Sequence, residues 1–115
     1  HQGMAHAAEL ETSVYLHLDA EAVQMDKAVR DIGMPESEFI WMDLMNGSPV
    51  RLMDEWTRFS KSGVYGDATA ATAEKGGVIF EAVVQGFLRL VKEFKTRERG
   101  ERTDYHHEAP NIPGQ

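Results

Sequence analysis

A long amphipathic helix with no obvious sheet to cover it is the feature that most constrains this chain of 115 residues. Helical spacing over 70–95 predicts that helix, and its apolar residues form one stripe: Ile79, Val83, Phe87, Leu90 and Phe94. Only the segment 39–44 is short, aromatic and apolar, as a buried strand would be. A lone strand leaves backbone donors and acceptors unpaired, so we expect a sheet supplied mainly by other polypeptide. The chain is therefore predicted to be half of an α/β domain.

The remaining segments are predicted to be mostly helix, turn and loop. In chain order they are helix 4–18, helix 20–29, turn 46–49, a largely irregular stretch with at most one strand over 50–59, and loop 60–66. The first helix is indicated by Leu10, Val14 and Leu18, which share one face. Asp67 or Thr69 is the expected N-cap of the long helix.

We divide the chain into a folded part over 1–96 and a polar tail or oligomer arm over 97–115. The second part is charged and then rich in Pro and Gly. Such a segment cannot bury enough apolar surface to order itself, so we expect it to be solvated or to order only against a neighbour.

Composition narrows the classes of partner. Lys and Arg number 12 against 19 Asp and Glu, giving a net charge of −7, and such an acidic surface argues against nucleic acid. Charged residues interrupt the longest apolar tract, so no membrane span is expected. The chain contains no cysteine, which excludes disulfides and thiolate zinc sites within it and fits a cytoplasmic location.

The densest cluster of functional groups contains His6, Glu9 and Glu11. On one continuous helix His6 and Glu9 share a face, whereas Glu11 lies about 140° round from His6. All three converge only if the helix begins near Glu9 and His6 lies on the segment entering it. An imidazole beside carboxylates suits a metal site or proton transfer. The alternative is an ordinary solvated helical turn, because the spacing is short and unspecific.

Other candidates are weaker. The segment Gly-Val-Tyr-Gly-Asp-Ala-Thr at 63–69 could present the next helix N-terminus to an anion, or could simply orient that helix. His17 would lie about 16 Å along a helix from His6, too far for a shared metal, and is expected to be structural. Trp41 and Trp56 are expected to be core or interface aromatics, and the sequence supports this less strongly for Trp56 than for Trp41.

Two segments together resemble the creatininase family. The residues His-Ala-Ala-Glu-Leu-Glu-Thr-Ser at 6–13 resemble its His-Ala-Gly-Glu-x-Glu-Thr-Ser segment. The residues from Gly63 to Gly76 resemble its Gly-Val-x-Gly-Asp-Pro-Thr-x-Ala-Thr-Ala-Glu-Lys-Gly segment. The order and separation of the two also fit, and the resemblance covers about 4–95.

The resemblance implies a metal-dependent hydrolase that opens cyclic amides or related C–N bonds in a small-molecule substrate, with Zn²⁺ or Mn²⁺, as one ion or a pair. It implies a three-layer α/β/α sandwich in a homo- or hetero-oligomer. Family members are about twice this length, and their upstream metal-ligand segments do not occur in this sequence. We therefore expect the C-terminal portion of such an enzyme, or one subunit completed by a companion chain that carries the remaining ligands.

Residue by residue, the resemblance implies that His6 is the catalytic acid–base and that Glu9 and Glu11 belong to the metal site. Ala8 replaces the usual Gly, which predicts a negative φ there. Ala68 replaces the usual Pro, which loosens the turn before the long helix. Two alternatives remain open: a non-catalytic assembly subunit, and a hydrolase of a cyclic ketone.

Overall fold

The computed structural model describes residues 4–104, 106–107 and 111–114. Its strands and helices, in chain order, are β1 (Met4–His6), α1 (Glu9–Leu18), β2 (Arg30–Asp31), β3 (Tyr65–Asp67) and α2 (Ala73–Thr96). Short 3-10 turns cover Ala20–Ala22, Met25–Lys27, Trp56–Arg58 and Ala68–Ala70. No helix among these residues is long and apolar enough to cross a bilayer.

The sheet is small and antiparallel, with β3 between β1 and β2. Gly66 of β3 lies opposite Met4 on one side and Asp31 on the other. Tyr65 lies opposite His6 after an irregularity in β1, and its side chain is fully buried. Burial raises the pKa of the Tyr65 phenol, and the backbone of Met34 opposes that rise. The sheet therefore fixes His6 beside one of the few buried side chains.

The prediction of a strand over 39–44 is wrong. This segment has no strand pairing, and local bonds hold it, including one from Trp41 Nε1 to the Asn46 carbonyl at 2.7 Å. Its aromatic and apolar composition predicts burial, yet Phe39 and Leu44 are more than half exposed. Leu44 N–H also donates to the Met4 carbonyl of β1 at 2.7 Å, but this single backbone hydrogen bond does not make the segment a strand of the sheet. An aromatic and apolar composition favours a strand, but a strand forms only where a continuous backbone partner is available.

The predicted helices at the start of the chain are only partly confirmed. Helix α1 begins at Glu9, because residues 4–6 pair with β3 instead. The predicted helix over 20–29 is wrong: the chain forms two separate 3-10 turns there. Short helices depend on packing of an apolar face, and Val23 and Met25 are only part-buried.

Helices α1 and α2 pack backbone to backbone. Ser13 is fully buried, and a Cβ added to Gly76 would overlap the Ser13 carbonyl. The Ser13 hydroxyl accepts a hydrogen bond from the Thr72 amide at 3.2 Å, and the Thr72 side chain caps α2 by accepting from Lys75 N–H. Asp67 instead caps the preceding 3-10 turn. The predicted long helix is confirmed, but it begins at Ala73 with a different cap.

The apolar stripe of α2 is largely uncovered within the described residues. Val83, Phe87, Leu90 and Phe94 are 50%, 62%, 51% and 61% exposed. The accessible surface is 9703 Å², against about 6,300 Å² for a compact protein of this mass. The radius of gyration is 21.1 Å, against about 13 Å for a compact domain. The chain is thus an incomplete α/β fold. The division of the chain at residue 97 stays a prediction.

We expect that residues 1–115 expressed alone do not form a cooperatively folded monomer. The exposed stripe of α2 leaves too little buried apolar surface to offset the conformational entropy lost on folding. Circular dichroism, thermal melting and sedimentation together measure this. A cooperative melt from a monodisperse monomer would contradict the expectation.

The contact between α1 and α2 predicts unequal effects at two adjacent glycines. In the full-length protein, Gly76→Ala should lower the free energy of unfolding by about 1–3 kcal/mol or more, because the added methyl meets the rigid Ser13 backbone. Gly77→Ala is the matched control: its methyl would meet only the His17 side chain, 3.2 Å away. That cost is offset by a helix-propensity gain of about 1 kcal/mol. Chemical denaturation compares the two, and equal losses of stability would contradict the packing described.

Candidate functional site

His6 ends β1, and a two-residue turn leads from it into α1. Ala7 has a φ of 48°, a left-handed conformation that is uncommon for a residue with a Cβ. Two side chains of α1 hold this turn: the Ala7 N–H donates to the Glu11 carboxylate, and Thr12 Oγ1 donates to the Ala7 carbonyl at 3.2 Å. Ala8 has a φ of −100°, so the predicted negative value is confirmed. The Glu11 and Thr12 side chains of α1 therefore fix the conformation of the backbone next to His6.

The turn brings His6 and Glu11 together. His6 Nδ1 lies 3.9 Å from Glu11 Oε2, the same oxygen that accepts from Ala7. Both side chains are about half exposed. The convergence foreseen for a helix that begins at Glu9 therefore holds for this pair. An imidazole beside a carboxylate can accept and return a proton while the carboxylate stabilises its charged form.

Glu9 binds a partner outside this pair. Its Oε1 accepts from Lys75 Nζ at 2.7 Å, and the same ammonium donates to the Ala70 carbonyl at 2.7 Å. Lys75 lies in the first turn of α2, so this ion pair joins the N-terminal turns of the two helices. Glu9 and Glu11 thus bind different partners, although they are only two residues apart in the sequence.

The site contains metal-binding chemistry but not a complete ligand set. Imidazole nitrogen and carboxylate oxygen suit Zn²⁺ and Mn²⁺. Among the described residues, however, no three His, Cys, Asp or Glu side chains converge as a metal centre would require. The residues present could supply some of the ligands of such a site but not all of them. The assignment of Glu9 and Glu11 as ligands stays a prediction.

Trp56 lies against His6, a contact that sequence analysis missed. The two ring centroids are 5.1 Å apart with the planes at 87°. Trp56 also approaches Tyr65, at 6.1 Å between ring centroids. The available signal was a tryptophan in an otherwise charged segment, which indicates an aromatic kept for a specific contact rather than for a core.

Asp31 organises the loop between Trp56 and β3. Its Oδ2 accepts from the amides of Lys61 and Ser62, at 3.1 Å each, and from the Ser62 hydroxyl at 2.7 Å. The Ser60 hydroxyl lies 3.0 Å from the same oxygen. These hydrogen bonds, led by that of the Ser62 side chain, hold the pKa of Asp31 below its usual value. The loop is therefore tied to β2 by a carboxylate that stays ionised.

The segment 63–69 serves mainly to orient α2. Gly63 and Gly66 take φ values of 86° and 131°, which a residue with a side chain rarely adopts, and Gly66 lies within β3. The N-terminus of α2 begins only at Ala73, where Thr72 already caps it. The geometry favours the structural interpretation over anion binding.

Two further features lie outside the site. His17 packs against α2, with its ring 5.9 Å from that of Phe80, which agrees with a structural role.

A cavity of about 380 Å³ lies within the irregular segment 34–53 and is lined mostly by apolar side chains such as Met34 and Leu52. His6, Glu9 and Glu11 do not line it.

Known proteins resemble this chain in sequence and in fold. The family model described as creatininase, creatinine amidohydrolase, matches residues 1–91. The mycofactocin precursor peptide peptidase of Mycolicibacterium smegmatis (strain ATCC 700084 / mc(2)155) is 33% identical over 96 residues, which cover 84% of this chain and 36% of that protein.

Solved structures agree on the fold. A Bacteroides fragilis NCTC 9343 protein assigned as a creatinine amidohydrolase superposes with a TM-score of 0.65 at 24% identity, over 85% of this chain and 37% of that one. A tryptophan-to-phenylalanine variant of a creatininase superposes with a TM-score of 0.52 at 28% identity, over 77% of this chain and 31% of that one. The chain thus spans about a third of the length of the relatives it matches.

Proposed function

The chain belongs to the creatininase family, and we propose that it is part of a metal-dependent hydrolase that opens cyclic amides or related C–N bonds. The observation that carries the proposal is the family match over 1–91 together with the His6–Glu11 pair at the start of α1. The family's relatives are hydrolases, one of them named as a peptidase. A peptide bond is therefore a second C–N bond to test as substrate.

His6 is the acid–base residue of the proposed reaction. Its imidazole takes a proton as the tetrahedral intermediate forms at the substrate carbonyl, and returns it to the departing nitrogen. The Glu11 carboxylate, 3.9 Å away, stabilises the charged ring during that step. The hydrogen bonds to Ala7 keep this turn rigid, so the His6 imidazole and the Glu11 carboxylate stay at a constant separation throughout the reaction.

The carboxylates of Glu9 and Glu11 are proposed to help hold Zn²⁺ or Mn²⁺, as one ion or a pair. The ion would supply an activated water and polarise the substrate carbonyl. Each carboxylate already has a partner: Glu11 accepts from the Ala7 amide, and Glu9 accepts from Lys75 Nζ at 2.7 Å. An ion held by either one would share that carboxylate with its partner or displace the partner.

The missing ligands are proposed to come from an N-terminal half or a companion chain. Family relatives are nearly three times as long as the matched part, and this chain holds no full ligand cluster in its described residues. The open apolar face of α2, which includes Phe87 and Phe94, is the surface such polypeptide would cover. Homo- or hetero-oligomers of the completed unit would bury further surface.

Replacing the imidazole tests the acid–base role. In the assembled enzyme, His6→Ala should lower turnover by about 10²-fold or more, the usual contribution of a positioned acid–base group. The substrate is whichever of creatinine, hydantoin, a short peptide and a cyclic ketone the wild type hydrolyses fastest. His106→Ala removes an exposed imidazole far along the chain and should leave turnover unchanged.

Near-normal turnover by His6→Ala would contradict the role of His6. Preference for the cyclic ketone would contradict the proposed specificity for C–N bonds, but the protein would still be a hydrolase.

A non-catalytic assembly subunit is the second candidate function. The observation in its favour is that the described residues bring no three metal ligands together. In this case the chain would provide fold and contact surface, and a partner would provide the chemistry.

Metal content separates the two functions. The purified complex should hold stoichiometric Zn²⁺ or Mn²⁺, and Glu9→Gln should lower its occupancy because a neutral amide is a poorer ligand than a carboxylate. Glu21→Gln, an exposed change in the first 3-10 turn, should not. Inductively coupled plasma mass spectrometry gives the ratio of metal to protein. Full occupancy in Glu9→Gln would remove Glu9 from the ligand set, and absence of divalent metal from the complex would favour the assembly subunit.

A further inference from the structure

The His6 side chain has few contacts that could fix its ring. It is 53% exposed, and Nδ1 lies 3.9 Å from the Glu11 carboxylate, beyond hydrogen-bond distance. A contact of this length restrains one ring atom but leaves rotation of the imidazole about χ2 open. Proton transfer depends strongly on the direction of the ring nitrogens, so something else must hold the ring plane.

Trp56 makes the contact that can do this. Its indole ring meets the imidazole at 87°, with the centroids 5.1 Å apart, which is a favoured edge-to-face arrangement of aromatic rings. The two ring planes are perpendicular, so rotation of the imidazole about χ2 would change their angle and weaken the edge-to-face contact. Glu11 and Trp56 therefore restrain His6 in complementary ways.

Trp56 is itself held in place. Its Nε1 donates to the Gly63 carbonyl at 3.3 Å, and its ring lies 6.1 Å from that of buried Tyr65. Its carbonyl accepts from the amides of Phe59 and Ser60, at 3.0 and 3.1 Å, which close the 3-10 turn. Although Trp56 is partly exposed, its N–H has a hydrogen-bond partner and its ring contacts two other rings. The side chain is therefore held in one orientation.

The loop behind Trp56 is anchored to the sheet. The Ser60 hydroxyl lies 2.6 Å from the Val64 carbonyl and 3.0 Å from Asp31 Oδ2. Asp31 also holds Ser62, which directly precedes the Gly63 carbonyl that Trp56 binds. The restraint on Trp56 thus runs back to β2 through hydrogen bonds to an ionised carboxylate.

We propose that Trp56 is a positioning residue for His6, with its indole, held by the loop that Asp31 anchors, fixing the plane of the imidazole. The proposal rests on the proposed function of His6 as the acid–base group. It assigns to Trp56 no contact with the substrate. The residue therefore acts on turnover and not on binding.

Kinetics of the assembled enzyme test the proposal. Trp56→Leu should lower kcat about tenfold with KM nearly unchanged, because a misdirected imidazole slows the chemical step alone. Trp56→Phe, which keeps an aromatic ring at this position, should restore most of kcat. Trp41→Leu is the matched control, because Trp41 binds Asn46 within the irregular segment and does not contact His6. A rise in KM with unchanged kcat would overturn positioning in favour of substrate contact.

A double-mutant cycle then asks whether Trp56 acts through His6. In a His6→Ala background, Trp56→Leu should have no further effect on kcat, since the ring that it positions is gone. An additional tenfold loss would overturn the proposal. If His6→Ala alone leaves turnover unchanged, the proposed function fails instead, and the two failures are thus distinguished.

A spectroscopic measurement is independent of substrate. With ¹³C-labelled histidine in the full-length protein, the His6 ε1 resonance, assigned by its loss in His6→Gln, should carry a ring-current shift from the indole. Trp56→Leu should move it towards the position of an unstacked histidine, whereas Trp41→Leu should not. An unmoved resonance in Trp56→Leu would overturn the contact and with it the proposal.

Discussion

The close contact between Gly76 and the Ser13 carbonyl is the constraint on which the arrangement of the site depends. A side chain at Gly76 would force α1 and α2 apart. Because the backbones touch, the Ser13 hydroxyl can reach the Thr72 amide and help to begin α2 at Ala73. Lys75 then lies where it can bind Glu9 at the start of α1.

The site is built by polar side chains that hold backbone, rather than by a core. Glu11 and Thr12 hold the two peptide groups of Ala7, and Asp31 holds the amides of its loop. Burial is too slight to do this, since among the described residues Tyr65 is the one large side chain that is fully buried, and the next largest is the small Ser13. Hydrogen bonds to charged groups are stronger than neutral ones, and they keep His6 and Trp56 at a fixed separation where packing is thin.

The proposed function gives one explanation for the open face of α2 and for the absence of three converging metal ligands among the described residues. A helix with a continuous apolar stripe is stable in water only against another apolar surface. Here the stripe is exposed, the sheet has strands of two or three residues, and the matched relative is more than twice as long as this chain. Under the proposed function, one further polypeptide segment covers this helix and also brings the remaining ligands towards Glu9.

The amino-acid sequence by itself determined the features that depend on local pattern. Helical spacing predicted α2, and two motifs predicted the family. The sequence also showed that His6 and Glu11 can converge only if the first helix begins near Glu9, and α1 begins there, although helical spacing had predicted a start at residue 4. Residue 8 was expected to have a negative φ because Ala stands there, and it does.

Only the tertiary structure decided which segments became strands and which aromatic met His6. The segments that contain Met4 and Arg30 pair with β3, although neither has strong strand character. The apolar segment 39–44 makes one backbone hydrogen bond to β1, from Leu44 to Met4, and otherwise stays irregular. Trp56 is fifty residues from His6 in the chain, and the loop that Asp31 holds brings the two rings together. Strand pairing and ring contacts join residues distant in sequence, so no local pattern contains them.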